Sequence, residues 1–278
     1  MATLDLNDAR NPYLFSALSA WARNDPAAAK AWLDTQPVAP GESRDYLLAG
    51  LIRGLSTSDP AAALKILLDA PASPERNGSL EFLLRAWTGI SLEHAFAQVA
   101  ALPDSLLREQ AIGKLTANLT ADQLEAAQSW AQSLPSPQER NAACTGIAAR
   151  WSQSDPAAAA DWAAGLQDPA TRTTAFGEIG TRWARIDPLA AGDWLSARAG
   201  QPETDLAARS ISWSTVGIDP DRAFSQVAAI TRAGLRDETF EQVGRFWLSR
   251  DPQAAKRFLE RESNMPPSIR EKLLQSFE

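Results

Sequence analysis

The chain has 278 residues and a formal net charge of −7, from 27 basic and 34 acidic side chains. That length can bury a sizeable core, and the acidic balance excludes nucleic-acid binding through a broad basic stripe that displaces counterions from phosphates. With Cys144 the one cysteine and His94 the one histidine, an internal disulfide is excluded and no Cys/His cluster is available, so neither metal nor other cofactor is expected.

The first residues, MATLDLNDARNPYLFSALSAW, lack a basic start followed by a long apolar core, so no signal peptide is read. No run of about 18 apolar residues is present to span a membrane. A soluble protein without membrane insertion is expected, cytoplasmic by default, or periplasmic or secreted where a leader has been removed.

In chain order an Asp-Pro step recurs at Asp25, Asp59, Asp155, Asp187, Asp219 and Asp251, with Ser91 and Gln123 in two further places. After a first interval of 34, these markers are 32 residues apart. Self-similarity at that period predicts stacked helical repeats. Aspartate caps the free amides of a first turn, and proline suits the first helical position, so each marker predicts the start of a helix. Four residues on stands an alanine in every copy, from Ala29 to Ala255, followed by large residues such as Trp32, Trp130, Trp162, Trp194 and Phe258. This i, i+3, i+4 stripe is a buried helical face. Prolines close the helix, among them Pro37, Pro71, Pro103, Pro135, Pro169 and Pro202.

A second helix precedes each marker, with apolar residues four, eight and eleven places upstream; the four-upstream set reads Trp21, Leu55, Trp87, Leu119, Trp151, Trp183, Thr215 and Trp247. The expectation is an all-α chain: one right-handed α-solenoid domain over residues 1–278, of about eight helix-turn-helix repeats and a capping helix at about 266–277. At about 10 Å between neighbouring helices, eight pairs span roughly 80 Å. Residues 90–102, ISLEHAFAQVAAL, match residues 218–230, IDPDRAFSQVAAI, four repeats later.

Phe176, Ile179, Gly180 and Trp183, followed by Ala191 and Leu195, resemble the two helices of a tetratricopeptide repeat, with a period of 32 instead of 34. The form W-x3-DP-x-A-A-x2-W is also similar to that of bacterial repeat proteins of the Verrucomicrobia type. The resemblance implies a solenoid and, for tetratricopeptide-like families, a protein or peptide partner held in a concave groove lined by the first helix of each pair.

Chemistry is sparse. His94 and Cys144 read as packing or surface residues, and GEIGTR at 177–182 lacks the lysine and preceding strand of a phosphate loop. No catalytic residue is proposed. Arginines at 44, 76, 108, 140, 172 and 236 recur at the repeat period; their helical phase predicts that each stem packs while the guanidinium meets carbonyls at the end of the preceding helix. Six places before the marker, on the face turned from the core, stand Arg53, Arg85, Trp213 and Arg245, with Tyr46 and Gln110 a turn or two earlier on that face. A large indole beside arginines is the composition of an interface anchor. Two readings of Trp213 stand: a groove contact, or local compensation for Thr215, which replaces the usual core tryptophan. The leading function is a non-enzymatic scaffold binding a peptide or protein; the alternatives are a structural spacer or oligomerisation element, and an enzyme on a helical-repeat scaffold.

Overall fold

The computed structural model describes residues 12–35, 42–71, 73–103, 105–261 and 265–275. Pro37 and residues 276–277 of the expected capping helix lie outside them. Among the described residues the chain is all-α, with seventeen α-helices and no strand. In order these are α1 (Pro12–Asn24), α2 (Pro26–Thr35), α3 (Glu42–Ser58), α4 (Pro60–Asp69), α5 (Pro74–Ile90), α6 (Leu92–Ala100), α7 (Ser105–Ala117), α8 (Leu124–Ser133) and α9 (Pro137–Trp151). They continue with α10 (Pro156–Ala164), α11 (Pro169–Ile186), α12 (Pro188–Ser196), α13 (Asp205–Thr215), α14 (Pro220–Ala228), α15 (Ala233–Arg250), α16 (Pro252–Arg261) and α17 (Pro267–Gln275).

The caps explain these starts. The carboxylates of Asp25, Asp59, Asp155, Asp187, Asp219 and Asp251 each accept from the amide three residues on, at 2.9 to 3.0 Å, and the Ser91 hydroxyl accepts from the His94 amide. Gln123 differs. It is no cap but the last residue of a 3-10 turn, Ala121–Gln123, and its side chain reaches back to accept from the Thr120 amide at 3.0 Å. This copy therefore adds a 3-10 turn opened by Thr120, while α8 itself starts in the usual register at Leu124.

By their internal contacts the residues fall into two compact units, Met1–Lys114 and Leu115–Glu278, with the division inside α7. Within unit 1, α1 packs on α3 and α3 on α5, while α2, α4 and α6 pack on the helices before them. Within unit 2, α9, α11, α13 and α15 pack in succession, and α10, α12, α14 and α16 pair with them in turn. All eight marker alanines are fully buried, at 0% exposure, which lets the helices approach closely. Gly180 has the same use: a Cβ there would lie 2.6 Å from the Ala207 Cβ, so α11 and α13 meet nearly backbone to backbone. At the end of the chain Leu273 of α17 is buried against Gly244 of α15, covering that helix. The expected core stripe departs at the start: Trp21 is 39% exposed, because α1 is the first described helix and packs only on helices that follow it.

The six arginines behave as their phase predicts. Arg44, Arg76, Arg108, Arg140, Arg172 and Arg236 donate to the carbonyls of Leu33, Leu67, Leu102, Leu134, Leu166 and Ile230, at 2.5 to 3.5 Å. Those carbonyls lie in or just after the last turn of the preceding helix, where main-chain acceptors lack helical partners. Thr204 takes the arginine's place in one copy. Beside it Asp205, 1% exposed, reaches forward instead and accepts from the amides of Thr231 and Arg232, the Thr231 hydroxyl and the Arg232 guanidinium. Burial alone would raise its pKa, but these donors outweigh it and hold the carboxyl below its ordinary value.

Candidate functional site

The six residues expected on a binding face divide between the units. In unit 1, Arg53 of α3 is exposed, its guanidinium 5.7 Å from the centre of the Phe15 ring and 5.6 Å from that of Phe82. Tyr46 meets the same Phe15 at 5.1 Å. Arg53 and Tyr46 are thus joined through an aromatic side chain that spacing alone did not single out. Arg85 is exposed on α5 and Gln110 is half-buried on α7; neither is brought into that cluster.

In unit 2, Trp213 is 45% exposed and packs against Phe246 of α15 with centroids 4.8 Å apart. The Arg250 guanidinium lies 5.7 Å from the Phe246 ring centre, a cation over an aromatic face. Arg245 donates to Glu241, which also accepts from Lys272 of α17 at 2.9 Å. Lys272 and then Arg245 hold the Glu241 carboxyl below its usual range. Arg209, one helical turn before Trp213, is exposed. Thr215, by contrast, is fully buried. Trp213 and Thr215 therefore sit on different faces of α13, and the indole does not occupy the core place that Thr215 leaves.

Two of the cavities among the described residues lie elsewhere. In unit 1, a cavity of about 500 Å³ is bounded by Leu64 and Leu68 of α4, Trp87 and Ile90 of α5, and His94 and Gln98 of α6, with Lys65 and Asp69 also lining it. His94, read from sequence as a packing or surface residue, is half-buried in this wall. In unit 2, a cavity of about 450 Å³ is bounded by Arg140, Cys144, Leu166, Asp168 and Thr171, among others. Cys144, which stands where other copies have Phe176 or Phe240, lines this cavity. Burial pushes its thiol pKa up to about 11, so it is not a thiolate nucleophile near neutral pH.

Among the described residues no group of three or more His, Cys, Asp or Glu side chains is placed to hold a metal ion, and no helix is long and apolar enough to cross a membrane. Comparison of the chain with family models, curated proteins and solved structures finds no match.

Proposed function

We propose that the chain is a non-enzymatic right-handed α-solenoid scaffold of about eight helix-turn-helix repeats that binds a peptide segment of a protein partner on the first-helix face of unit 2. The observation that carries the reading is Trp213, a tryptophan held against Phe246 yet 45% exposed. An indole ordered in advance by a neighbouring ring loses little side-chain freedom when a partner covers it, which is what a binding hot spot requires. Arg250 lies over the Phe246 ring, and the exposed Arg209 and Arg245 stand on the same two helices, Arg209 one turn before Trp213 and Arg245 paired with Glu241. On a chain of net charge −7 this local excess of guanidinium groups selects acidic segments, which arginine binds by charge-assisted hydrogen bonds.

The test is a panel of fluorescent peptides of equal length, acidic, neutral and basic, each carrying one aromatic residue, with binding read by polarisation. The acidic set binds the wild type and loses about tenfold or more with Trp213→Ala, as expected for a hot spot, while the melting temperature moves little because the indole lies outside the core. Absence of binding across the panel returns the chain to the spacer reading. A large drop in melting temperature with unchanged peptide affinity makes Trp213 a packing residue.

A further inference from the structure

Arg140 and Arg172 stand at the same place in successive copies and make the same first bond: Nη1 of each donates to a carbonyl behind it, that of Leu134 or of Leu166. Arg172 then meets a carboxylate with its second edge, Nη2 donating to Glu203 at 2.7 Å. The residue 32 places before Glu203 is Thr171, which offers no carboxylate. Its amide and hydroxyl both donate to Asp168 Oδ2, at 2.8 and 2.6 Å, in the cap of α11. Arg140 Nη1 also donates to the Pro135 carbonyl at 3.0 Å, which leaves Nε and Nη2 without an acceptor among the described residues.

The Arg140 side chain lines the unit 2 cavity. Cys144, Ala131 and Thr171 are buried in the same lining, while Arg140 and Leu166 are half-buried and Gln132, Gln167 and Asp168 are exposed. The charged and amide groups are therefore open to a ligand in the chain as it stands. At the place of Cys144 the next copy has a ring, Phe176, which meets Trp194 edge-on with centroids 5.3 Å apart. The Cys144 copy thus lacks both the ring and the carboxylate that its successor sets at these two positions. Opposite charges also converge on the cavity. The Thr171 hydroxyl and amide first, and Arg140 after them, hold the Asp168 carboxyl below its ordinary value, so guanidinium and carboxylate are near enough to act on each other. The two do not pair directly among the described residues, since the guanidinium bonds go to main-chain carbonyls and the carboxylate bonds to Thr171.

We propose that the unit 2 cavity binds a free α-amino acid with an apolar side chain, held as its zwitterion: the ligand carboxylate takes on Arg140 the place that Glu203 has on Arg172, and the ligand ammonium meets Asp168. A carboxylate suits the open guanidinium edge, which binds it by paired charge-assisted hydrogen bonds. A carboxylate alone would bring its charge up to Asp168, whereas a zwitterion adds no net charge and satisfies both groups. Ala131, Leu166 and Cys144 give the apolar surface for the ligand side chain, and the Gln132 and Gln167 amides offer further hydrogen bonds. The volume of about 450 Å³ lies in the range of small-molecule pockets. This site rests on α8 to α11 and does not depend on the Trp213 reading.

The test uses the full chain with L-leucine as the probe, followed by titration calorimetry and by thermal melting. Leucine binds saturably and raises the melting temperature. N-acetylleucine, without the ammonium, and leucinamide, without the carboxylate, each bind about tenfold more weakly or worse, the cost of one hydrogen bond between charged groups. Asp168→Asn keeps a helix cap and lowers the affinity for leucine but not for N-acetylleucine. Thr171→Glu supplies Arg140 with a carboxylate from the chain itself; it loses leucine binding without lowering the melting temperature. Cys144→Phe, which puts the ring of the next copy at this place, loses binding as well and serves if Thr171→Glu does not fold, as judged by circular dichroism. No saturable leucine binding, equal affinity for N-acetylleucine, an equal loss of both ligands in Asp168→Asn, or unchanged affinity in a folded filled variant overturns the proposal. Tighter binding of an acetylated peptide ending in leucine than of leucine itself also overturns it, because the site would then be one for the C-terminus of a protein chain.

Discussion

Residues 90–102 and 218–230 agree at seven of thirteen positions, yet the hairpins around them solve the same packing problem in different ways. In α5–α6, Trp87 and Leu64 are kept and the space beside Gln98 stays open. In α13–α14, Thr215 and Gly192 replace them, and Arg222 crosses to the preceding second helix. The entry to each hairpin differs as well. Arg76 reaches back to the Leu67 carbonyl, whereas its counterpart Thr204 cannot, and Asp205 reaches forward to the turn before α15. The lesson is that a slot in a repeat is defined by three or four residues from neighbouring copies, so two similar segments can bound a cavity in one place and a filled core in another.

The largest effect separating the two hairpins is expected at Asp205. Asp205→Ala leaves the Thr231 and Arg232 amides without their acceptor, and unit 2 should lose about 3 kcal/mol in urea unfolding. The sign of its pH dependence follows from its lowered pKa. The charged clamp contributes fully above the ordinary aspartate value, and its contribution falls as pH drops from about 4 through the folded-state value. The stability gap between wild type and Asp205→Asn should therefore shrink on acidification through that window; a gap that is constant or widens there contradicts the clamp.

Gly192→Leu gives unit 2 the residue found in unit 1. It displaces the flexible ends of Arg222 and Gln226, and a loss of about 2 kcal/mol is expected, the usual range for overpacking. An unchanged melting curve would show that the interlock contributes nothing. A smaller effect of opposite sign is expected at Gln226, whose two polar side-chain atoms are buried with no hydrogen-bond partner among the described residues. Gln226→Leu removes that desolvation cost and should stabilise unit 2 by about 1 kcal/mol. The smallest change in stability is that of Trp213→Ala, about 0.5 kcal/mol or less for a half-exposed residue outside the core, measured by the same unfolding.

What was legible in the sequence was local. An Asp-Pro step carries its own cap, so six helix starts followed from two adjacent residues, and a guanidinium one turn into a helix has few acceptors but the carbonyls behind it. Register marks Gln123 as the start of a helix, and α8 does begin beside it at Leu124; the preceding 3-10 turn from Thr120 depends on a reciprocal contact that no spacing announces. The binding-face residues show the same limit. Phase put Arg53 and Trp213 on the outer face, but their partners Phe15, Phe82 and Phe246 stand at other places in neighbouring copies and were missed. The unit 1 cavity was hidden for a related reason. Gln98 and His94 look like surface substitutions until the ring pairs Trp21–Trp32, Trp151–Trp162, Trp183–Trp194 and Trp247–Phe258 show what stands there in four other hairpins, a signal that aligning the seven-downstream residues of all copies could have found.

The arginine ladder bears on how such a chain can lengthen. Each guanidinium addresses a main-chain oxygen, and every amino acid presents that oxygen alike, so the joint asks nothing of the side chains in the hairpin before it. That joint therefore survives the copying or deletion of a whole hairpin, while the packing beside it still depends on side chains such as Gly180 and Ala207. Where Thr204 and Asp205 interrupt the ladder, the joint is written in particular side chains instead, and a break at that point would need both partners to move together.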